Sequence, residues 1–264
     1  MSERMLTEIL KDIETNEDMS TYLSPSWQQG RAAFGGLVAS MAVTGMKKQL
    51  SDPKSLRSLL VNFVGPTPIT PTNVVPRVLR EGKSVTQMTA DVTDGSGVHL
   101  HASAAFGLPR EAKFVPQASE FKPEPRESVP LMPKNMGSIP NFLKHFDIHW
   151  TGGGIPLSGM EDRRCGMWVK HTEDMSAYPE ERIVALADMP PPIMLSHFKK
   201  LVRVSSLSWS LEFVRPPEEV TSDWMYLDYT LEAAANGYSQ QDGRIFDEDG
   251  NLCAISRQCM VYFE

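Results

Sequence analysis

The feature of the sequence that most constrains the fold is an internal repeat, because a helix followed by four strands is predicted twice along the chain. In the first half, apolar side chains recur at helical spacing over residues 37–46 with small residues between them. This pattern predicts a helix that is buried on nearly all sides. Strands rich in Val, Thr, Leu and Phe are predicted after it, at 58–64, 73–79, 84–92 and 98–106.

The second half repeats this order at low sequence identity. A predicted helix at 179–188 is followed by three consecutive prolines at 190–192, which have no backbone N–H to continue it. The strand ends at 63–66 and 213–216 share the pattern Phe-Val-x-Pro, which sets the alignment of the two halves. Four strands are predicted after the helix, at 204–214, 224–232, 238–247 and 252–263.

The stretch between the two halves has a different character. Residues 109–140 contain seven prolines with mixed charges between them, and closely spaced prolines neither pair in a sheet nor continue a helix. We therefore predict an N-terminal unit at 1–108, a Pro-rich linker at 109–145 and a C-terminal unit at 146–264. Each unit is expected to be α+β, with a central helix wrapped by an antiparallel sheet. The two sheets can join edge to edge, which would hide open edges.

The composition argues against several classes of protein. The net charge of -7 argues against nucleic acid as a partner, because phosphate contacts need a basic surface. No run approaches the roughly 20 apolar residues of a membrane-spanning helix. The acidic N-terminal stretch is unlike a secretory signal, so a cytoplasmic location is expected. The three cysteines are too few and too widely spaced for a disulfide framework or a zinc site.

Several short segments resemble the acyl-CoA thioesterase II family. In the first half they are 31–38, at the start of the predicted helix, and the strand end 63–66. In the second half they are 185–188, 206–216 and 254–258. The order and spacing of these segments carry the resemblance, which extends over most of the chain. It implies a double hot-dog fold and an acyl-CoA substrate.

The resemblance also implies an active site in the second half, in which Asp188, Ser206 and Gln258 hold a water molecule that hydrolyses the thioester. Relatives often carry Thr where this chain has Ser206, and both residues provide a hydroxyl. The polar trio occurs in one half only, which predicts one site per chain. In the alignment of the halves, Ser206 corresponds to Leu56, Gln258 to Ala104, and Asp188 to the neighbourhood of Val38.

The expected chemistry follows from these residue types. Asp188 would act as a general base or orient the water, while the other two side chains fix the water against the carbonyl carbon. Phe34, Gly35 and Gly36, at the start of the first helix, would bind the substrate and its developing oxyanion. A helix N-terminus favours negative charge, and glycine allows close approach of the backbone. The resemblance implies no cofactor and no metal.

Other interpretations stay open at the level of sequence. Each residue of the trio, taken singly, has an ordinary structural explanation, and a non-catalytic acyl-CoA-binding protein is one alternative. An enoyl-CoA hydratase-like enzyme is another, although His197 lies nine residues after Asp188, which does not match the spacing of that site. His99 and His101 would share one side of a strand, but no further ligand accompanies them, so no metal site is predicted. A homo-oligomer is expected, because related folds commonly pair.

Overall fold

The computed structural model describes residues 3–134 and 139–263. In these ranges the helices are α1 (Leu6–Thr15), α2 (Gly35–Lys48) and α3 (Pro179–Ala187). The strands of the first half are β1 (Ser20–Tyr22), β2 (Gln28–Gln29), β3 (Ala32–Ala33), β4 (Ser55–Phe63), β5 (Pro71–Glu81), β6 (Val85–Thr93) and β7 (Val98–Gly107). Those of the second half are β8 (Phe146–Gly153), β9 (Arg164–His171), β10 (Arg203–Phe213), β11 (Met225–Ala235), β12 (Tyr238–Phe246) and β13 (Leu252–Phe263).

The predicted central helices and the four strands after each of them are confirmed, with boundaries shifted by a few residues. Helix α2 is buried at every residue over 36–46, because its small side chains let the surrounding sheet approach closely. A Cβ atom on Gly45, for example, would stand 2.5 Å from Val74 Cγ1 of β5. The structure adds the short strand β1, which the sequence did not indicate. It pairs with β5 as β9 pairs with β11.

Eleven of the described strands form one continuous sheet in the order β1-β5-β6-β7-β4-β10-β13-β12-β11-β9-β8. The halves meet where β4 pairs with β10, with Val61 opposite Trp209 and Leu59 opposite Leu211. All pairings are antiparallel, and the prediction that the two sheets join edge to edge is confirmed. The pairing leaves no open edge at the junction.

The strand registers test the alignment of the two halves. A β-bulge follows Leu56 in β4 and Ser206 in β10, each seven residues before the Phe at the strand end. Counting the same number of residues from Phe63 in β4 and from Phe213 in β10 places Ser206 with Leu56. Counting in the same way from the residues opposite these two Phe places Gln258 with Ala104, as the sequence predicted. The reference pairs are Phe63 opposite Leu100 and Phe213 opposite Ala254.

The two central helices pack against each other in opposite directions. Ser40 Oγ of α2 donates a hydrogen bond to the Glu181 carbonyl of α3 at 3.2 Å. One turn earlier in α2, a Cβ atom on Gly36 would stand 2.9 Å from the Ala185 carbonyl oxygen. The C-terminal end of α3 therefore lies against the N-terminal end of α2, and the N-terminal end of α3 lies against the C-terminal end of α2.

This packing shows that the predicted alignment of Asp188 near Val38 is wrong. Asp188 follows the C-terminal end of α3, so its counterpart lies at the C-terminal end of α2, near Lys47. There Lys47 Nζ donates to Glu180 Oε2 at 2.8 Å and to Glu181 Oε2 at 3.1 Å. Lys47 and Glu180 line a cavity of about 440 Å³. An ion cluster thus occupies the place in the first half that Asp188 occupies in the second.

The predicted linker is mostly exposed and irregular over 109–134, and 135–138 lie outside the described residues. One aromatic side chain, Phe121, holds it to the outer face of the second half of the sheet. Gln117 Oε1 also accepts a hydrogen bond from the Leu252 backbone N–H at 2.6 Å. The linker therefore covers apolar surface on that face. The ring of Phe121 packs on Trp168, Tyr226 and Phe246.

Candidate active site

Asp188 is the residue at which α3 ends. Its backbone is still helical, with φ -92° and ψ -1°, but the prolines at 190–192 cannot donate the hydrogen bonds that would extend the helix. The chain then enters a short 3-10 helix, Ile193–His197. The proline run therefore sets the position of Asp188 at the end of α3.

Gln258 joins the other two predicted site residues through one nitrogen atom. Its Nε2 donates to Asp188 Oδ1 at 2.9 Å and to Ser206 Oγ at 3.0 Å, which uses both hydrogens of the amide. Gln258 is only 6% exposed, and the other two residues are half-buried. Because the amide nitrogen only donates, Ser206 Oγ accepts here and keeps its own hydrogen for another partner. The structure thus brings together the three side chains that the sequence selected.

A β-bulge turns Ser206 toward the site. Trp209 of β10 lies opposite Gln258 on the inner face of the sheet. On a regular strand, a residue three positions away would point to the outer face. The bulge after Ser206 inserts one extra residue and returns its side chain to the inner face. The first half has the same bulge after the fully buried Leu56. The bulge is therefore a feature of the fold in both halves, whereas the hydroxyl is present only in the half with the candidate site.

Burial makes Asp188 a stronger base than an ordinary aspartate. Loss of hydration raises the pKa of its carboxyl from 3.8 to about 7, and hydrogen bonds from Gln258 and from the Gly36 backbone N–H act in the opposite direction. The residue as a whole is half-buried, but its carboxyl points inward, toward α2. The N-terminus of α2 also favours the ionised form. A carboxyl with a pKa near 7 can take and return a proton near neutral pH.

The start of α2 lies directly against this carboxyl. A Cβ atom on Gly35 would stand 2.7 Å from Asp188 Oδ2 and 2.8 Å from Phe63 Cε1. No real Cβ contact is that short, so the contact requires glycine. Gly35 and Gly36 of the first half therefore lie at a site whose polar trio comes from the second half.

Phe34, the third residue predicted to bind substrate, belongs to the core beneath the site. Its ring is fully buried and stacks on Phe142 with the ring centroids 4.1 Å apart. Its backbone N–H donates to the Trp27 carbonyl at 2.9 Å. Neither the ring nor the N–H of Phe34 is thus free for a ligand, and its contribution is to seat the first turn of α2.

Two residues that the sequence did not indicate support Asp188 from the sheet. Tyr229 of β11 donates its hydroxyl hydrogen to the Ala187 carbonyl at 2.5 Å, which ties the end of α3 to the sheet. Gly243 of β12 lies opposite Tyr229 and leaves room for its ring, since a Cβ atom there would stand 2.3 Å from Tyr229 Cζ. Strand alternation places Gly243 on the inner face, but only the pairing register reveals which ring covers it.

The histidines that the sequence singled out have other partners. His99 and His101 each pair with a nearby aspartate, and the His197 ring contacts the Asp162 carbonyl at 2.9 Å. Within residues 3–134 and 139–263, no cluster of His, Cys, Asp and Glu side chains is arranged to hold a metal ion. In the part of the chain that the structure describes, no helix is long and apolar enough to cross a membrane.

Comparison with known families identifies the chain. Residues 118–262 match the model of the acyl-CoA thioesterase C-terminal domain, and residues 23–107 match that of the acyl-CoA thioesterase N-terminal domain. The first match alone spans more than half of the sequence. The chain belongs to the acyl-CoA thioesterase family. The resemblance drawn from short segments is therefore confirmed, and the polar trio of this acyl-CoA thioesterase family member lies in its C-terminal domain. No curated protein matches the sequence significantly.

Solved structures share the fold of this acyl-CoA thioesterase family member at low sequence identity. A hot-dog protein of unknown function from Alicyclobacillus acidocaldarius has a TM-score of 0.83 at 18% identity, covering 93% of this chain and 92% of that one. A tesB protein from Mycobacterium avium subspecies paratuberculosis has a TM-score of 0.80 at 15% identity, covering 98% and 100%. An acyl-CoA thioesterase II from Mycobacterium marinum has a TM-score of 0.74 at 19% identity, covering 96% and 98%. These similarities confirm the double hot-dog fold.

Proposed function

We propose that this protein hydrolyses an acyl-CoA thioester to a free carboxylic acid and CoA, using a water molecule held by Asp188, Ser206 and Gln258. The observation that carries the proposal is the bridge from Gln258 Nε2 to the other two side chains. The bridge leaves the Ser206 hydroxyl hydrogen and further lone pairs of the Asp188 carboxylate for a third partner. A water molecule between them would accept from Ser206 and donate to Asp188.

In the proposed reaction the water oxygen attacks the carbonyl carbon of the thioester while Asp188 takes the water proton. A C–O bond forms, and the carbonyl oxygen becomes an oxyanion. Collapse of the oxyanion breaks the C–S bond and expels CoA as a thiolate, to which the Asp188 carboxyl returns the proton. The raised pKa of Asp188, about 7, makes its carboxylate a better proton acceptor than an ordinary aspartate.

The developing oxyanion needs hydrogen-bond donors, and the first turn of α2 supplies candidates. The first N–H groups of a helix have no partner within the helix, and the positive end of the helix dipole lies there. Because the Gly36 N–H already interacts with Asp188, the half-buried Gly35 supplies the proposed donor. Preorganised donors of this kind contribute strongly to catalysis of acyl transfer.

Release of free thiol from acyl-CoA esters of short, medium and long chain tests the proposal. The variant is Asp188→Ala, and Asp52→Ala is a matched control because Asp52 is exposed. We expect turnover by the wild type and the control, and a loss of about 100-fold or more in folded Asp188→Ala. Turnover that is unaffected by Asp188→Ala would contradict the proposed site.

The alternatives predict different outcomes of the same assay. A non-catalytic acyl-CoA-binding protein would bind the esters tightly without releasing thiol, and Asp188→Asn would not change that binding. A hydratase-like enzyme would change the mass of an enoyl-CoA ester by one water while the thioester stays intact. The expected homo-oligomer and the cytoplasmic location stay predictions.

A further inference from the structure

Gln241 is a fourth polar residue beside the trio. It lies in β12 directly opposite Gln258 of β13, and it is 1% exposed on the inner side of the sheet. The Cβ atoms of directly opposite residues on antiparallel strands are about 5 Å apart. The polar surface of the site therefore continues from Ser206 through Gln258 to Gln241.

The chain that follows Asp188 fixes the orientation of the Gln241 amide. The backbone N–H of Ile193, just after the proline run, donates to Gln241 Oε1 at 3.1 Å. Because this contact requires an oxygen, the other terminal atom is the nitrogen. Gln241 Nε2 is buried and has no hydrogen-bond partner among the described residues. An unpaired buried donor is unfavourable, so a partner that arrives with a ligand would account for it.

The first half has an apolar residue at the corresponding place. Met88 of β6 lies opposite Ala104, in the register that Gln241 and Gln258 occupy in the second half. The same fold therefore accepts an apolar side chain here. Gln241, like Ser206 and Gln258, is polar only in the half that carries Asp188, which associates it with the site and not with folding.

Ser239 provides a contrast within the same strand. Its hydroxyl is also buried without a partner among the described residues, but so is the hydroxyl of Thr86, its counterpart in the first half. A property that both halves share belongs to the fold. The unpaired donor of Gln241 therefore points to a ligand contact, and the unpaired hydroxyl of Ser239 does not.

We propose that Gln241 Nε2 donates a hydrogen bond to an oxygen on the β or γ carbon of the acyl chain. The inference rests on the proposed function, because it takes the trio to hold the reacting carbonyl. Gln241 is one strand, or about 5 Å, away from Gln258 of the trio, and this distance matches that from the carbonyl carbon to substituents on the β and γ carbons. An acyl chain without an oxygen substituent has no acceptor there and leaves the donor unpaired. The preferred substrates are therefore hydroxyacyl- or oxoacyl-CoA esters.

Values of kcat/KM for butanoyl-CoA, 3-hydroxybutanoyl-CoA and 4-hydroxybutanoyl-CoA test the inference. The wild type is expected to favour a hydroxylated ester over butanoyl-CoA by about tenfold or more, the discrimination that one buried hydrogen bond provides. Gln241→Met, which places the residue of the first half at this position, is expected to lose that preference. Gln240→Met makes the same change on the other face of β12 and should keep it.

The outcomes separate this inference from the proposed function. A wild-type preference for butanoyl-CoA, or a hydroxyl preference that survives in folded Gln241→Met, overturns the inference and leaves the proposed function in place. If circular dichroism shows that Gln241→Met is unfolded, the wild-type ratio decides alone. If no ester yields thiol, the proposed function fails. The inference about Gln241 is then tested by measuring the affinities of the same esters by calorimetry. Equal affinities overturn the inference, and tighter binding of a hydroxylated ester supports it.

Discussion

Asp188 Oδ2 stands 2.7 Å from the position that a Cβ atom on Gly35 would occupy, so these two residues share a space that admits no further atom. One comes from the second half of the chain and the other from the first. Their contact follows from the antiparallel packing of α2 and α3, which brings the end of one helix to the start of the other. The first half is therefore part of the candidate site although it has no polar trio of its own.

Gly35→Ala is expected to lower kcat/KM about 100-fold and to destabilise the fold by about 1–3 kcal/mol. The added methyl group would meet both the Asp188 carboxyl and the Phe63 ring. Overpacking has a cost of that size, and moving a catalytic group by about 1 Å can slow a reaction about 100-fold. Thiol release and urea unfolding measure the two effects. Gly97→Ala is the control, because nothing lies within 4 Å of its Cβ position, and equal behaviour of the two variants would refute the close contact.

Activity is expected to rise with pH through an apparent pKa near 7. The pH dependence of kcat/KM reports ionisations of the free enzyme, and burial raises the pKa of the Asp188 carboxyl to about 7. Since the carboxylate accepts the water proton, the rate should fall about tenfold per pH unit below about pH 6. A rate that stays constant between about pH 5 and pH 8 would rule out Asp188 as the base.

Asp188→Asn is expected to stabilise the fold at about pH 8 while it removes the base. The pKa of Asp188 is about 7 in the folded state against an ordinary 3.8, so the folded state binds more protons between these values. The stability that protonated Asp188 contributes is complete below about pH 4 and is lost as the pH rises through 7. Each pKa unit corresponds to about 1.4 kcal/mol, which limits the loss to about 4 kcal/mol. Asparagine stays neutral and avoids this loss.

Urea unfolding of the wild type and Asp188→Asn at several pH values measures this effect. The stability advantage of the variant should grow from about pH 4.5 to about pH 8. Asp52→Asn, at an exposed position, should show no such trend. If the difference in stability between Asp188→Asn and the wild type does not change with pH, the pKa of the Asp188 carboxyl is not raised in the folded state.

Ser206→Ala is expected to lower kcat by about 10–100-fold, whereas Ser206→Thr should stay within a few-fold of the wild type. The reason is that the hydroxyl, which accepts from Gln258 at 3.0 Å, positions the water, and Thr keeps this hydroxyl. Ser206 is half-buried, so its side chain is not enclosed on all sides. Ser208→Ala removes an exposed hydroxyl from the same strand and should have no effect. If Ser206→Ala turned over at the wild-type rate, the hydroxyl would have no part in the reaction.

Lys47→Met is expected to destabilise the fold by about 3 kcal/mol, because it leaves the fully buried Glu181 without its cation. Burial raises the pKa of Glu181, and Lys47 lowers it, so the cost should be smaller at low pH, where Glu181 is protonated. Glu181→Gln should restore much of the stability of Lys47→Met. Lys11→Met removes an exposed ion pair and should change the free energy of unfolding by less than about 0.5 kcal/mol. Urea unfolding of the single and double variants checks the coupling, and additive effects would disprove it.

The fold could be predicted to a large extent because its signals are local. The apolar, small-residue run at 37–46 indicated a buried helix, and strand alternation indicated which side chains face inward. The short strand β1 was missed because three residues carry too little periodicity. Neither Tyr229 nor Gly243 could be recognised as support for Asp188, because their contact depends on the register between β11 and β12.

By itself, the sequence determined that two similar α+β units follow each other, that Asp188 is a candidate site residue, and that Ser206 and Gln258 are polar where the first half is apolar. Only the tertiary structure decided how these residues meet. The antiparallel helix pair brings Gly35 against Asp188, and the bulge in β10 turns Ser206 inward. The structure also gave Gln241 a buried donor without a partner among the described residues. The physical reason is that these relations join residues distant along the chain, so packing and strand register set them, and local periodicity does not reveal them.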